Sequence, residues 1–333
     1  MFIFFLFSSS FLSAQEKAPR LQYNIIVKSE PKEVNINTLY EIENLDDESK
    51  SKSLESIQEL TAFLFSDLAK LPKQKRQVLF YVHGMWGGKK FAFDRTYKMI
   101  ENLYLDNPNS DIGRIVSIKW PGNKMEYKVN KKKLYAIDHD VTNTFLEFFN
   151  SYYTFRFLNR LNDVNLDMIA HSLGTELIKE VICQLPSENF NEPILDQLIL
   201  ASPDLDTDVF EKETCFGRQL KMINQTTVYF SDRDLTLNVS NNLNDLDRLG
   251  RAGPTEDSSI PDNVTFIEVT DIKDETNFGD LMTGHSSFRA SPVIAKDILS
   301  VLTCNHKLRY ANRVSTNKNQ NIFKLELPSE KGT

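Results

Sequence analysis

The chain has 333 residues, long enough to bury a hydrophobic core without metal or disulfide staples. Its 41% hydrophobic and 11% aromatic content excludes a disordered chain. With 39 basic against 46 acidic residues the net charge is −7, which argues against nucleic acid as a partner, since that affinity comes from neutralised phosphates.

Phe2 to Leu12 is apolar apart from three serines, and Ser13-Ala14-Gln15 follows. The run is shorter than the roughly 20 residues that span a bilayer. Its length and small-residue end suit a secretory signal peptide over 1–14, although no Lys or Arg precedes it. The expected address is therefore the periplasm or the exterior if the run is cleaved, and the cytoplasm otherwise. No later segment reads as a membrane span. The three cysteines, Cys183, Cys215 and Cys304, are too scattered for a disulfide framework or a zinc site and permit one disulfide at most.

Residues 15–72 read as an N-terminal extension. It holds strands at 22–30 and 34–43, a charged connector, and a helix on which Ile57, Leu60, Leu64 and Leu68 recur at helical spacing. A regular alternation follows over 73–305. Strands are predicted at 77–82, 112–120, 165–170, 197–201, 227–230 and 264–270. Helices are predicted at 91–105, 131–160, 173–185 and 291–302. Pro72, Pro121-Gly122 and Pro186 mark stops between them. This order predicts an α/β fold with a mostly parallel central sheet and helices on both faces. Residues 306–333 read as a polar surface tail.

Ligand sites in such sheets lie beyond the carboxyl ends of the strands. Ala170-His171-Ser172-Leu173-Gly174 occupies one such position, between a strand and a helix. A serine there forms a nucleophile elbow, with Ala170 and Gly174 as the small residues that a tight turn needs. The other role for Ser172 is a helix cap. After strand 77–82 comes His83-Gly84-Met85-Trp86-Gly87-Gly88-Lys89. Its spacing and the Lys90 that follows do not fit a phosphate loop. It fits a turn whose backbone N–H, at Met85, joins that of Leu173 in an oxyanion hole.

A serine nucleophile needs a base, and the base needs an orienting acid. Of the five histidines, His83 and His171 belong to the two turns and are expected to support them. His139 lies in a helix and His306 in the tail. His285, in Gly284-His285-Ser286-Ser287-Phe288, stands where a base is expected. Asp232 and Asp234 follow strand 227–230, and Asp204 and Asp206 follow strand 197–201, so four acids are open at this point. Residues 238–262, rich in Asn, Asp, Gly and Pro, read either as an entrance loop or lid or as a passive surface loop. Trp86, Phe91, Phe93 and Trp120 could line an acyl site or fill the core. The Lys131-Lys132-Lys133 run reads as a solvated helix end that could also touch anionic lipid.

Seven short motifs together resemble the α/β-hydrolase superfamily, and within it the bacterial DUF900-type family of uncharacterised hydrolases. They are F-Y-V-H-G at 80–84, S-I-K-W-P-G at 117–122, I-A-H-S-L-G at 169–174 and L-A-S-P-D-L-D-T-D-V-F at 200–210. V-Y-F-S-D-R-D-L-T-L at 228–237, R-L-G at 248–250 and G-H-S-S-F at 284–288 complete the set. The resemblance implies a Ser172, His285, Asp234 triad, because the family's acid stands five residues after the tyrosine, here Tyr229. It implies a supporting role for Asp204. It implies a serine hydrolase of carboxylic esters that acts on a small-molecule ester or lipid without metal or organic cofactor. Thioester or amide cleavage and acyl transfer on the same triad are alternatives. So is a hydrolase-fold binding protein with an inactive site.

Overall fold

The computed structural model describes residues 19–29, 36–85, 90–122, 126–159, 164–244, 247–255, 259–274, 276, 278–303, 312–316 and 321–328. The expected signal segment, Trp86 to Lys89, Cys304 and His306 lie outside them, as does the side chain of Phe91.

The strands are β1 (Leu21–Ser29), β2 (Ile36–Asn44), β3 (Lys52–Leu54), β4 (Gln77–Val82), β5 (Ile112–Lys119), β6 (Leu166–His171), β7 (Leu195–Ala201), β8 (Ile223–Phe230), β9 (Val264–Glu268), β10 (Arg313–Ser315) and β11 (Ile322–Leu325). They form one sheet in the order β10-β11-β9-β8-β7-β6-β4-β5-β1-β2-β3. From β11 across to β1 every neighbouring pair is parallel, and antiparallel pairs occur only at the two edges.

The helices are α1 (Ile57–Leu68), α2 (Lys90–Ile100), α3 (Tyr127–Asn159), α4 (Gly174–Gln184), α5 (Cys215–Gln219), α6 (Leu235–Asn241), α7 (Leu249–Ala252), α8 (Phe278–Thr283), α9 (Ser287–Ala290) and α10 (Pro292–Leu302). Helices cover both faces of the sheet. In β4, Val78, Phe80 and Val82 face a core shared with α1, α3 and α4. Leu79 and Tyr81 face a second core with α2 and α10. Two-sided burial is why this strand reads as an unbroken apolar run. Phe80 meets Phe148 of α3 edge-on at 5.0 Å, and Phe65 of α1 stacks on Phe155 at 5.1 Å. No helix among the described residues is long and apolar enough to cross a membrane.

Three expectations need correction. The segment at 15–72 is built into the sheet, because β1 pairs in parallel with β5 and buries Tyr23, Ile25 and Val27. The tail at 306–333 is not wholly surface, because β11 pairs with β9 and buries Leu325. The sheet therefore runs beyond 73–305 at both ends. Much of the lid expected at 238–262 is packed into the body. Leu249 N–H donates to Leu205 O at 2.8 Å, Gly250 N–H to Pro203 O at 2.9 Å, and Arg248 is almost fully buried.

Cys183, at the end of α4, is disulfide-bonded to Cys215, at the start of α5, with Cα atoms 5.6 Å apart. The bond ties the nucleophile-side helix to the crossover between β7 and β8.

Candidate active site

Strand β6 ends at His171, and the chain turns sharply into α4. Ser172 sits in that turn with φ +53°, a left-handed conformation costly for a residue with a Cβ. Its backbone is fixed on both sides. Ser172 N–H donates to Ala201 O at 3.1 Å, and Ser172 O accepts from Thr175 N at 2.9 Å and Thr175 Oγ1 at 2.6 Å. Leu173 is the residue that caps α4, without a side-chain hydrogen bond, so Ser172 does not serve as the helix cap.

The Ser172 hydroxyl instead lies 2.8 Å from His285 Nε2. His285 Nδ1 lies 2.7 Å from Asp234 Oδ2. Asp234 is fully buried, and its second oxygen, Oδ1, accepts from Leu237 N–H at 2.9 Å as the cap of α6. Burial of the His285 imidazole by itself lowers its pKa, but the charge and hydrogen bond of Asp234 outweigh it and the net shift is upward.

The structure brings together residues that lie 113 and 51 positions apart in the chain. It separates the competing acids. Asp232 is exposed, and its N–H donates to Thr270 Oγ1. Asp206 pairs with Arg248. Asp204 is buried, accepts from Ser240 Oγ at 2.7 Å and lies 3.7 Å from Arg248 Nη1. Burial raises its pKa, against the lowering effects of Ser240 and Arg248. Asp204 N–H donates to Thr175 Oγ1 at 3.2 Å, which anchors the β7 loop to the start of α4.

The two turn histidines brace the site. His83 accepts from Trp120 N–H at Nε2 (3.1 Å), leaves Nδ1–H for Gly84 O at 2.6 Å, and stacks on the Trp120 ring at 5.4 Å. Burial pushes its pKa down to about 4, in keeping with that neutral tautomer. His171 packs against the rings of His285 at 4.8 Å and Phe288 at 4.6 Å. Burial, reinforced by the neighbouring His285, holds it well below the usual histidine range.

Close approach explains two glycines. A Cβ at Gly174 would stand 2.4 Å from His83 O, and one at Gly84 would stand 2.8 Å from Ser172 Cβ. The His83-Gly84-Met85 turn is thereby pressed against the elbow. Phe93 and Trp120 are buried core residues rather than walls of an open cleft.

Sequence reasoning missed two arginines as supports. Arg233 donates from Nη2 to Leu281 O at 3.0 Å and from Nη1 to Ile272 O, holding α8 beside the β8 loop. Arg251 Nη1 donates to Asp234 O at 3.0 Å. Arg233 lies inside V-Y-F-S-D-R-D-L-T-L and Arg251 directly follows R-L-G, and that placement is the signal the sequence offers for both.

Residues 56–302 match the family described as alpha/beta hydrolase of unknown function (DUF900). The chain belongs to that family. Two solved structures that resemble this DUF900 member bear the description esterase. One is a mutant of the esterase rPPE, 13% identical, with a TM-score of 0.36 over 85% of this chain and 81% of that one. Another is a thermostable esterase from Pseudomonas putida, 14% identical, with a TM-score of 0.35 over 84% and 82%. No curated protein matches the chain.

Proposed function

We propose that this DUF900 protein is a serine hydrolase that cleaves carboxylic esters. The observation that carries the reading is the unbroken relay from Ser172 Oγ through the His285 ring to Asp234, at 2.8 and 2.7 Å. Ser172 Oγ attacks the ester carbonyl carbon as His285 Nε2 takes its proton. The carbonyl oxygen becomes an oxyanion, bound by the backbone N–H groups of Leu173 and Met85. One such donor stabilises the transition state by about 3–4 kcal/mol. His285 then gives the proton to the leaving alcohol, and the C–O bond breaks to leave an acyl-Ser172. Water, deprotonated by His285, releases the acid and restores the serine. Asp234 keeps the Nδ1 proton of His285 in place throughout and stabilises the imidazolium.

The strained turn at Ser172 supports this assignment. A serine with φ +53° and its backbone held from both sides is over-determined for a surface turn. The test is labelling of the folded protein by a fluorophosphonate probe, with turnover of short p-nitrophenyl esters. Labelling at Ser172 should vanish in Ser172→Ala and in His285→Ala. A folded protein that neither labels nor turns over would reduce the site to binding.

We also propose that the protein is exported. The apolar run at Phe2–Leu12 fits a signal segment, and the Cys183–Cys215 disulfide fits an oxidising compartment. Fractionation of the native host, with N-terminal sequencing of the mature chain, tests it; recovery in the cytoplasm with an intact N-terminus would overturn it.

A further inference from the structure

Helix α6 begins at the triad acid and turns its faces unusually. Leu237 and Ser240 point inward and are buried. Leu235 and Val239, four residues apart on α6, and Leu243 in the turn just beyond it are 51, 61 and 42% exposed. A solvated surface helix of a globular protein presents polar residues there. Met282 of α8, 57% exposed, adds to the apolar rim from the segment just before His285. Arg233, the neighbour of Asp234, holds Leu281 and so keeps α8 beside the start of α6.

The same rim carries positive charge. Lys131 Nζ donates to Asn244 Oδ1 at 3.2 Å, and Asn244 Nδ2 bonds Tyr127 Oη at 3.2 Å and Ser240 O at 2.8 Å. The end of α6 is thus clamped to the first turns of α3, where Lys128 and Lys132 are exposed. Among the described residues, Glu126 is an exposed acid beside them, and Asp247, also exposed, is engaged by Asn241 Nδ2 at 2.9 Å. An outward apolar stripe next to a lysine cluster, on a chain of net charge −7, is a local reversal of the molecule's character.

We propose that this rim docks the protein on an anionic lipid surface, from which the site draws its ester substrates. The substrate clause rests on the serine-hydrolase reading; the docking does not. Apolar side chains would enter the headgroup boundary while the lysines meet anionic headgroups. Because α6 is capped by Asp234 and α8 ends just before His285, docking would set the Asp234 and His285 side of the site against the lipid.

The experiment is co-sedimentation of the full chain with phosphatidylcholine vesicles, either pure or containing about one third phosphatidylglycerol, alongside turnover of a soluble ester. The wild-type chain should bind the anionic vesicles at least about tenfold more tightly than the neutral ones. A Val239→Glu, Leu243→Ser variant and a Lys128→Glu, Lys132→Glu variant, in the same full chain, should each lose about tenfold in binding, with soluble-ester turnover within about twofold of wild type. Equal binding to both vesicles, or equal binding by wild type and variants, overturns the docking. Ser172→Ala should still bind. Vesicle binding without turnover of any ester would sink the hydrolase reading and leave the docking; turnover without binding would do the reverse.

Discussion

His171 Nε2 lies 3.0 Å from the backbone carbonyl oxygen of His285, and its N–H donates to it. One histidine of the elbow thus fixes the main chain of the other histidine, whose ring reaches Ser172. A protonated His171 beside His285 would repel the imidazolium that the proposed acyl transfer forms. Burial keeps it neutral instead.

Replacing that support should misplace the base rather than remove it. His171→Ala is expected to lower kcat for a short ester by about tenfold or more, with KM little changed, since small misplacements of a catalytic group are costly. His171→Gln, which can still donate a hydrogen bond, should recover part of the loss. Steady-state kinetics on both variants is the check.

The upward shift of His285 sets a pH dependence. The base works when neutral, so kcat/KM should rise with pH through a midpoint above about 6.5. Asp234→Asn removes the charge that raises the pKa. The midpoint should then move down, and kcat should fall by about 10³–10⁴ because the tautomer is no longer held. A pH–rate profile that is identical in both proteins would contradict the relay.

Gly174→Ala and Gly84→Ala should each destabilise the fold by roughly 1–3 kcal/mol, the usual penalty of overpacking. The reasons differ. The first pushes a methyl against a backbone carbonyl, His83 O, while the second pushes against the Cβ of Ser172 itself. Thermal melts should report both losses, and ester turnover should fall further in Gly84→Ala.

The Cys183–Cys215 bond closes a loop across 32 positions. In the chain-entropy picture, opening it costs about 3–4 kcal/mol of stability. Cys183→Ser with Cys215→Ser should lower Tm by several degrees, and added reductant should lower the wild type toward it. Ser172, Asp234 and His285 lie outside that loop, so the proposed ester turnover should persist at low temperature.

How much of this was legible in the sequence follows from the range of the interactions involved. Strands buried on both faces, such as β4 and β6, announce themselves as apolar runs, and the turns after them carry His83-Gly84 and His171-Ser172. Chain order and local chemistry therefore determined the parallel α/β class and the turns that hold the candidate nucleophile and base. Asp232 and Asp234 stand two residues apart with the same chemistry, and only the turn into α6 buries one and exposes the other. β1 and β11 lie outside the regular alternation of strands and helices in the chain, and they gain a place in the sheet only from their partners β5 and β9. The segment at 247–253 looks like open loop until Arg248 and Gly250 meet the β7 turn. The outward stripe of α6 is invisible for the same reason, since Leu235 and Leu237 are both leucines and only packing gives them opposite faces. Local periodicity fixes what each segment is; register and burial across distant segments decide what it touches.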